Sequence, residues 1–504
     1  MPILDWTNRE QDLTQAARTP YRLLKPVTSQ SVGQGSDNML IEGDNLEALK
    51  ALRPYIGGQV KCVFIDPPYN TNQDFEHYKD SLKHSQWLSM MYPRLEILRD
   101  LLKEDGSLWV TLDDNEAHYF KVIADEIFGR ENFIASVIWR KNYSPKSSAR
   151  HFSVDHDYVF VYAKNADKWF PNQVARTAAQ DSAYKNPDSD SRGPWKASDL
   201  SARNSYSLGK YPIVTPSGRE IPGPPSGRYW SISHAKLQEL DADNRIWWGK
   251  DGSSAPSVKR FLSEVRTGRV PQTYWHFDEA GHTQDAKKEI VALFGADVFA
   301  TPKPEKLMKR ILEIGTNEGD LVLDSFLGSG TTAAVAHKMG RRWVGVEMGD
   351  HARTHCAPRL KKVVAGEQGG VSKDVDWKGG GGFTFYTLGE RMFDENEQIN
   401  PAIGFAALAS HIIFSETGKA TTKRQFDTPL IGEHEGSAYY LLYNGILGEK
   451  SAKGGNVLTK AVLKGLPPFD GPKIIYGEAC LIPEEQHEDL GIVFRMTPYA
   501  IKGR

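Results

Sequence analysis

Residues 63–72 read V-F-I-D-P-P-Y-N-T-N and join an apolar run to a carboxylate, two prolines and an aromatic ring. The apolar half has the composition of a buried strand. The tetrapeptide D-P-P-Y cannot continue that strand, because proline donates no backbone hydrogen bond and its ring fixes φ. The sequence therefore predicts a buried strand that ends in a rigid, partly polar turn.

Composition limits the class of protein. The chain has 504 residues, with 62 basic against 64 acidic side chains, which excludes a simple polybasic binding protein. The three cysteines, Cys62, Cys356 and Cys480, lack metal-ligand spacing, so we predict no metal site and expect buried thiols in a reducing cytosol. No apolar run approaches the roughly 18–20 residues of a membrane helix. We therefore expect a cytoplasmic protein without a membrane partner.

Strand-like and helix-like segments alternate through the first part of the chain. This alternation predicts a parallel sheet covered by helices. At Arg140 the composition shifts towards Ser, Gly, Pro, Arg and Trp, and the α/β pattern returns near Ala286. The predicted strands before this shift lie at residues 39–41, 61–65, 107–112 and 134–139.

A second motif, L-V-L-D-S-F-L-G-S-G-T-T-A-A-V-A, occupies residues 321–336. Its apolar run ends at Asp324, a turn carries Gly328 and Gly330, and a helix is predicted from Thr331. Glycine lets a ligand approach the backbone, and a helix N-terminus favours electron-rich groups. An ordinary turn between a strand and a helix is the alternative interpretation of this motif alone.

Glu347 favours the ligand-binding interpretation of the glycine turn. It ends the apolar run R-R-W-V-G-V-E, about twenty residues after the glycines, where an acidic side chain can accept hydrogen bonds from a ribose diol. The pattern therefore indicates a nucleoside-bearing cofactor. It is not a Walker loop, because no Lys-Ser or Lys-Thr follows the glycines.

The two motifs together resemble those of the amino-methyltransferases of DNA, which use S-adenosyl-L-methionine. A tetrapeptide that begins with aspartate is similar to that of the N6-adenine enzymes, and the order of the motifs resembles the permuted β class. Three further stretches, L-I-E-G-D-N-L-E-A-L-K, G-S-L-W-V-T-L-D-D-N-E and F-A-T-P-K-P-E-K-L, resemble the modification (Mod) subunits of type III restriction-modification systems and their orphan relatives. The resemblance covers most of residues 36–365.

The resemblance implies an α/β fold: a Rossmann-like methyltransferase sheet of the permuted β class, with an inserted target recognition domain and a small C-terminal α/β domain. The predicted division is an N-terminal arm at 1–35, a catalytic half at 36–139, a target recognition domain at 140–285, a cofactor-binding half at 286–370 and a C-terminal domain at 383–504.

The resemblance also assigns roles to site residues. The Asp66 carboxylate and the Pro67 carbonyl would accept the two N6 hydrogens of an adenine flipped out of the duplex, Pro68 would keep the turn rigid, and Tyr69 would stack on the base. The predicted cofactor-binding residues are Asp324, Phe326, Gly328, Gly330, Thr331, Glu347, Lys303, Pro304 and Asp44. A plain helix start remains the alternative for Lys303 and Pro304, and a helix cap for Asp44.

Basic side chains with interleaved aromatic residues in the middle segment suit contacts with phosphates and guanine edges. For each of them, a solvated surface charge is the alternative. Residues 70–80 are expected to form a mobile loop that becomes ordered on DNA or beside the flipped base; a purely solvated loop is the alternative. The predicted DNA-binding residues are Arg140, Lys141, Lys146, Arg150, Lys259 and Arg260.

Three functions remain open at this point. The leading hypothesis is a site-specific methyltransferase that acts on N6 of adenine in double-stranded DNA, within a restriction-modification or related defence system. The second changes the acceptor to N4 of cytosine or to an adenine in RNA. The third is a catalytically idle DNA-recognition subunit of a nuclease complex. The resemblance further implies a homodimer and a possible restriction subunit with helicase and nuclease activity.

Overall fold

A ten-stranded sheet forms the centre of the larger of two units into which the chain divides, Met1–Asn172 with Gln272–Arg504. The computed structural model describes residues 3–33, 37–71, 73–75, 78–80, 83–176, 181–265, 268–295, 302–396, 398–419, 425–443 and 455–501. In chain order the strands of this sheet are β1 (Arg22–Pro26), β2 (Met39–Glu42), β3 (Val60–Ile65), β4 (Leu102–Leu112), β5 (Phe133–Arg140), β6 (His156–Ala163), β7 (Tyr274–Trp275), β8 (Leu321–Asp324), β9 (Arg342–Glu347) and β10 (Thr384–Arg391).

The strand order in this sheet is β1-β10-β2-β9-β8-β3-β4-β6-β5-β7. The strands from β10 to β4 run parallel to one another, whereas β1 and β6 run antiparallel to their neighbours. The strands β8 and β3 are neighbours at the centre of the sheet. The strand that follows β3 in the chain, β4, lies on one side of this pair, and the strand that follows β8, β9, lies on the other side. Ligands of open α/β sheets bind in the crevice that such a reversal creates at the carboxyl ends. The predicted α/β fold class is confirmed.

Helix α1 (Asn45–Ile56) begins and ends at local sequence signals. Asp44 caps α1 by accepting hydrogen bonds from the backbone N–H groups of Leu46 and Glu47, and the helix ends before Gly57. None of the helices in the described ranges is long and apolar enough to cross a membrane. The longer helices are α1 (Asn45–Ile56), α2 (His84–Leu101), α3 (Ala117–Phe128), α4 (Thr283–Phe294), α5 (Glu305–Gly315), α6 (Thr331–Lys338), α7 (Ala357–Val364) and α8 (Phe405–Thr417).

The junction of α2 and β4 differs from the prediction. Asp105 and Gly106 indicate a helix end near residue 103 and a strand from residue 107, but β4 already starts at Leu102. Leu102 is fully buried and pairs with Val60 of β3. Burial of Leu102 against the sheet therefore outweighs the local stop signal, and the residues before Ser107 form an irregular bulge in the ladder.

Four strands of the sheet, β1, β6, β7 and β10, lie outside the two predicted halves of the methyltransferase domain. β1 lies in the predicted N-terminal arm, and β7 lies in the predicted target recognition domain. β6 belongs to the central sheet although it follows residue 140, where the target recognition domain was predicted to begin. β10 lies between β1 and β2, although the C-terminal domain was predicted from residue 383. β10 pairs with β1 and β2, which are distant in the sequence, so local composition did not indicate its place. β6 instead pairs with β5, the strand directly before it in the chain, and its apolar run was a local signal for a strand.

The second unit, Gln173–Pro271, is narrower than the predicted insert at 140–285. It contains a three-stranded antiparallel sheet, in the order Trp195–Asp199, Ser257–Phe261, Ile246–Trp247, and the helix His234–Ala242. Its apolar core includes buried Leu200, Ile213, Trp230 and Leu237. A role of this unit in target recognition stays a prediction.

A smaller sheet follows near the C-terminus and has the predicted α/β character. Its order is β11 (Leu430–His434), β12 (Ser437–Leu441), β13 (Lys473–Gly477) and β14 (Ile492–Met496). Apolar residues of α8 share a core with this sheet. The same helix reaches α1, since the Arg53 guanidinium lies 5.2 Å from the centre of the Phe414 ring.

A buried ionic cluster joins α5, α6 and α7. The Glu305 side chain, 2 % exposed, accepts hydrogen bonds from Lys338 Nζ at 2.7 Å and from Arg359 Nη2 at 2.9 Å. Burial acts to raise the pKa of Glu305, but Arg359 and Lys338 outweigh it and lower that pKa. The two cations therefore keep a buried carboxylate ionised.

Replacing Glu305 by alanine is expected to lower the free energy of unfolding by about 3–5 kcal/mol, because buried Arg359 loses its carboxylate partner and buried Lys338 keeps Glu367 but loses one of its two carboxylates. The measurement is urea unfolding followed by tryptophan fluorescence.

Glu313→Ala is the matched control, since Glu313 pairs with Lys309 in the same helix but is 39 % exposed. Its expected loss is about 0.5 kcal/mol or less. Equal losses in the two variants would contradict a special contribution from the buried cluster.

Candidate active site

The D-P-P-Y turn begins directly after β3, at the carboxyl edge of the sheet. Asp66 follows Ile65, the last residue of the strand. Trp87 of α2 donates a hydrogen bond of 2.7 Å from its indole nitrogen to the Pro68 carbonyl. The turn is therefore held from outside as well as by its two prolines.

Both oxygens of the Asp66 carboxylate accept hydrogen bonds. Thr111, near the end of β4, donates to Oδ1 at 2.6 Å, and Lys303, two residues before α5, donates to Oδ2 at 2.5 Å. Each carboxylate oxygen can accept more than one hydrogen bond. Asp66 is thus fixed in orientation while it keeps acceptor capacity, and its side chain remains 22 % exposed.

Tyr69 is held at its hydroxyl and at its ring. The hydroxyl donates a hydrogen bond of 3.2 Å to Asp157 of β6, and Lys303 Nζ lies 5.0 Å from the ring centre. Asp157 is 2 % exposed and accepts a hydrogen bond of 2.5 Å from Lys141. Burial, followed by the charge of Asp157, raises the pKa of Tyr69 well above its usual value, so this phenol stays protonated.

The residue after the turn depends on a buried carboxylate. Asn70 has a left-handed φ of 60° and donates a hydrogen bond of 2.6 Å to Glu116. The Glu116 side chain is fully buried, and His84 Nδ1 lies 2.8 Å from the same oxygen. Of the predicted loop at residues 70–80, residues 72, 76 and 77 lie outside the described residues, and so do the side chains of residues 72–80.

The glycine turn after β8 is built around Asp324. This carboxylate is 2 % exposed and accepts hydrogen bonds from the Phe326 backbone N–H at 2.9 Å and the Thr332 hydroxyl at 2.6 Å. Gly328 and Gly330 have φ of 57° and 83°, a region that favours glycine. Helix α6 then begins at Thr331, as predicted.

Glu347 is the last residue of β9, and its Oε2 accepts a hydrogen bond of 2.6 Å from the Gly328 backbone N–H. The predicted ribose-binding carboxylate therefore lies against the glycine turn, where its side chain is 15 % exposed. Burial, together with the charges of Asp66 and Glu347, raises the pKa of Asp324 to about 7. Three carboxylates thus follow or end three neighbouring strands, β3, β8 and β9.

These residues fit S-adenosyl-L-methionine. Its sulfonium and ammonium groups are cations, and the carboxyl edge of β3, β8 and β9 is rich in carboxylates. The Ser325 hydroxyl beside Asp324 is buried without a hydrogen-bond partner in the part of the chain that the structure describes. A polar ligand at this edge would supply the kind of partner that such a group lacks.

The contacts of three predicted cofactor-binding residues, Lys303, Pro304 and Asp44, are with other parts of the protein. Lys303 binds Asp66 of the D-P-P-Y turn, and Pro304 precedes the first turn of α5. Asp44 caps α1 and pairs with Arg94 at 3.1 Å. The alternatives of a helix start for Pro304 and a helix cap for Asp44 therefore describe what the structure contains, and cofactor contacts of these residues stay predictions.

The predicted DNA-binding residues divide by exposure. Lys146, Arg150 and Arg260 are exposed. The other two residues of the β5–β6 segment are paired with carboxylates: Arg140 Nε lies 3.4 Å from Asp155 Oδ2, and Lys141 Nζ binds Asp157.

The prediction for Lys259 needs correction. Its side chain is 1 % exposed and pairs with Asp188 and Asp190. A cation that is buried between two carboxylates cannot contact a phosphate.

Sequence reasoning missed three polar residues of the site: Thr111, Glu116 and Asp157. Thr111 and Glu116 lie within the stretch that also contributes to the family resemblance, but their side-chain contacts depend on how strands pair. Asp157 is the second residue of H-D-Y-V-F-V-Y-A, residues 156–163, in which one acidic residue in an apolar strand was an available signal.

A family model described as DNA methylase matches residues 60–356. The chain belongs to this DNA methylase family. It is 33 % identical over 416 residues to the probable HindVI Mod subunit of a type III restriction-modification enzyme from Haemophilus influenzae, with 71 % of this chain and 55 % of that protein covered. It is 31 % identical to the StyLTI Mod subunit from Salmonella typhimurium, with 66 % and 55 % covered.

Among solved structures, the cytosine-N4-specific PvuII DNA methyltransferase has a TM-score of 0.36 and 15 % identity, with 65 % of this chain and 90 % of that chain covered. The chain spans about half the length of the first two Mod subunits, 55 % of each.

The raised pKa of Asp324 predicts a pH-dependent stability. In the unfolded chain an aspartate ionises near pH 4, whereas Asp324 in the folded protein ionises near pH 7. Between these values unfolding releases a proton, so this residue makes the free energy of unfolding fall as pH rises, by about 1.4 kcal/mol per pH unit. Asp324→Asn should remove this slope in urea unfolding between pH 4.5 and pH 7.

Asp105→Asn is the control, because Lys61 lowers the pKa of Asp105 and that carboxyl stays ionised throughout this window. The difference in stability between wild type and Asp105→Asn should stay constant from pH 4.5 to pH 7. A wild type and an Asp324→Asn variant with parallel pH profiles would contradict the assignment of Asp324.

Proposed function

We propose that this chain transfers a methyl group from S-adenosyl-L-methionine to N6 of an adenine that is flipped out of double-stranded DNA. The observation that carries the proposal is the pairing of β3 with β8, in which Cys62 and Val63 lie beside Val322 and Leu323. This parallel pairing brings the D-P-P-Y turn and the glycine turn to the same edge of the sheet. One turn can then hold the acceptor amine while the other holds the cofactor.

The turn residues suit an exocyclic amine. Such an amine is a poor nucleophile, because its lone pair is delocalised into the ring. Asp66 would accept one N6 hydrogen and the Pro67 carbonyl the other, which turns the lone pair towards the methyl group. The gain comes from orientation and electrostatics. Tyr69, with its hydroxyl fixed by Asp157, would stack on the flipped base.

Lys303 has a different role in this proposal from a cofactor contact. Its ammonium group binds one oxygen of Asp66 and so holds the carboxylate in one orientation. When a base enters and displaces water, the same cation offsets the cost of keeping Asp66 charged. Lys303 is therefore a positioning residue.

The cofactor would lie along the glycine turn. Glu347 would accept hydrogen bonds from the ribose, and Gly328 and Gly330 allow the methionine part to approach the backbone. When bound, the cofactor supplies the methyl group. The role of this chain is to place that group in line with the amine and to exclude water.

The biological setting belongs to the same proposal. Two of the relatives are named Mod subunits of type III restriction-modification enzymes, and we infer that this chain methylates DNA in such a system. A homodimer and an association with a restriction subunit follow from that inference. The relatives come from bacteria, so we place the reaction in the cytoplasm, where bacterial DNA lies.

The test is transfer of a tritiated methyl group from the cofactor to DNA, with chromatography of the nucleosides and single-molecule sequencing of the product. Wild-type protein should label adenine at N6, and Asp66→Ala should lower the rate at least about 100-fold, because it removes a hydrogen-bond acceptor at the reacting nitrogen.

Asp105→Ala is the control, since it removes a lysine-paired carboxylate near the start of β4. Label in cytosine of this DNA, or label in RNA but not in DNA in a parallel assay with an RNA substrate, would establish the second function instead. Binding of cofactor and DNA without any transfer would establish an idle recognition subunit.

Lys303→Met should lower the single-turnover rate by about 100-fold, because a misplaced catalytic group can cost that much. The affinity for S-adenosyl-L-methionine, measured by calorimetry, should change less than about twofold, since the ammonium group binds Asp66. Lys303→Arg should restore part of the rate.

Lys61→Met is the matched control: Lys61 pairs with Asp105, and its side chain is 14 % exposed against 13 % for Lys303. A loss of cofactor affinity as large as the loss of rate would place Lys303 at the cofactor, as the sequence alone predicts.

A further inference from the structure

The connection between β5 and β6 starts and ends beside Tyr69. The last pair of this hairpin is Arg140 with His156, at the edge of the sheet where β4 also ends. Lys141, the first residue of the connection, binds Asp157, which accepts the hydrogen bond of the Tyr69 hydroxyl. Whatever this connection contacts therefore lies close to the proposed base-binding turn.

Residues 143–154 form the outer part of the connection, and we call them the 143–154 loop. Its base is ordered by hydrogen bonds of the backbone N–H groups of Lys141 and Asn142 to the Asp155 carbonyl, at 2.9 and 3.2 Å. Tyr143 packs its ring 5.1 Å from that of Phe277, and the Lys146 backbone N–H donates to the Ser153 hydroxyl at 2.6 Å. The loop therefore has a defined base.

The outer part of the loop exposes an aromatic ring. Phe152 is 91 % exposed, the highest value among the large apolar side chains that the structure describes. Val154 beside it is 51 % exposed. At this exposure the Phe152 ring adds nothing to the apolar core of the unit and presents both its faces to the surroundings.

The charged side chains of the 143–154 loop are of one sign, and Asp155, which follows the loop, lies beside Arg140. Lys146 and Arg150 are exposed, and residues 143–154 contain no acidic side chain. A cationic loop with a protruding aromatic ring complements a polyanion whose interior is a stack of apolar rings. Duplex DNA has this chemistry, and proteins that distort it insert apolar side chains between base steps. The position of the loop beside the proposed base-binding turn favours duplex DNA over a protein partner.

We propose that Phe152 enters the duplex and fills the gap that the flipped adenine leaves, while Lys146 and Arg150 contact the flanking phosphates. This inference rests on the proposed function. Stacking of the ring on the neighbouring bases would stabilise the open duplex, so the base would spend more time in the site beside Tyr69. The effect of Phe152 should therefore depend on whether the target adenine has a pairing partner.

The experiment uses the full chain and a duplex that carries the methylated sequence found by single-molecule sequencing. Phe152→Ala should lower the single-turnover methylation rate about 10- to 100-fold when the target adenine is paired with thymine. With an abasic site opposite the target, the loss should be less than about threefold, because extrusion then breaks no base pair. With 2-aminopurine at the target position, the fluorescence increase on binding should be reduced in Phe152→Ala and retained in Phe152→Trp.

Phe170→Ala is the matched control. Phe170 is 75 % exposed and follows the other end of β6, so its removal should change neither the rate nor the fluorescence.

A Phe152→Ala variant that flips and methylates like wild type would overturn the inference, and so would one that loses equally on both duplexes. Failure of the proposed function would look different, since wild-type protein would then methylate neither duplex.

Discussion

The buried carboxylate of Glu305 is the interaction on which the geometry of the candidate site depends. An unpaired buried charge is costly, so Lys338 and Arg359 must stay beside it. Arg359 also donates a hydrogen bond of 2.8 Å to the Thr331 hydroxyl, at the first residue after the glycine turn. Lys303 precedes Glu305 by two residues. The ionic contacts of Glu305 therefore link the segment that carries Lys303, the cation that binds Asp66, to the helix that follows the glycine turn.

The three carboxylates of the site have different surroundings, and these surroundings separate their roles. Asp324 is buried, and its oxygens accept the hydrogen bonds that shape its own turn. Glu347 supports the backbone of that turn through Gly328. Asp66 is the most exposed of the three, and its partners come from two other elements. Asp66 is thus the carboxylate that can accept a hydrogen bond from an incoming amine without breaking hydrogen bonds within its own turn.

The sequence predicted the two turns and the strands that precede them, because each depends on residues that are adjacent in the chain. It did not predict Thr111 or Asp157, because a contact with Asp66 or Tyr69 depends on which strands become neighbours. For Lys259 the sequence predicted a contact with DNA that the fold excludes. A cation looks the same in a sequence whether it faces water or lies between two carboxylates, and only the fold of residues 173–271 decides which is true.

The order of the two motifs along the chain matters less than the order of their strands in the sheet. β3 and β8 are separated by more than 250 residues, yet they pair as parallel neighbours. Parallel strands bring their carboxyl ends to one edge, so either motif can come first without changing what that edge presents. The chain between them can then carry other structure, including the unit at Gln173–Pro271. What must be preserved is the register of β3 against β8, because it sets the distance between the two turns.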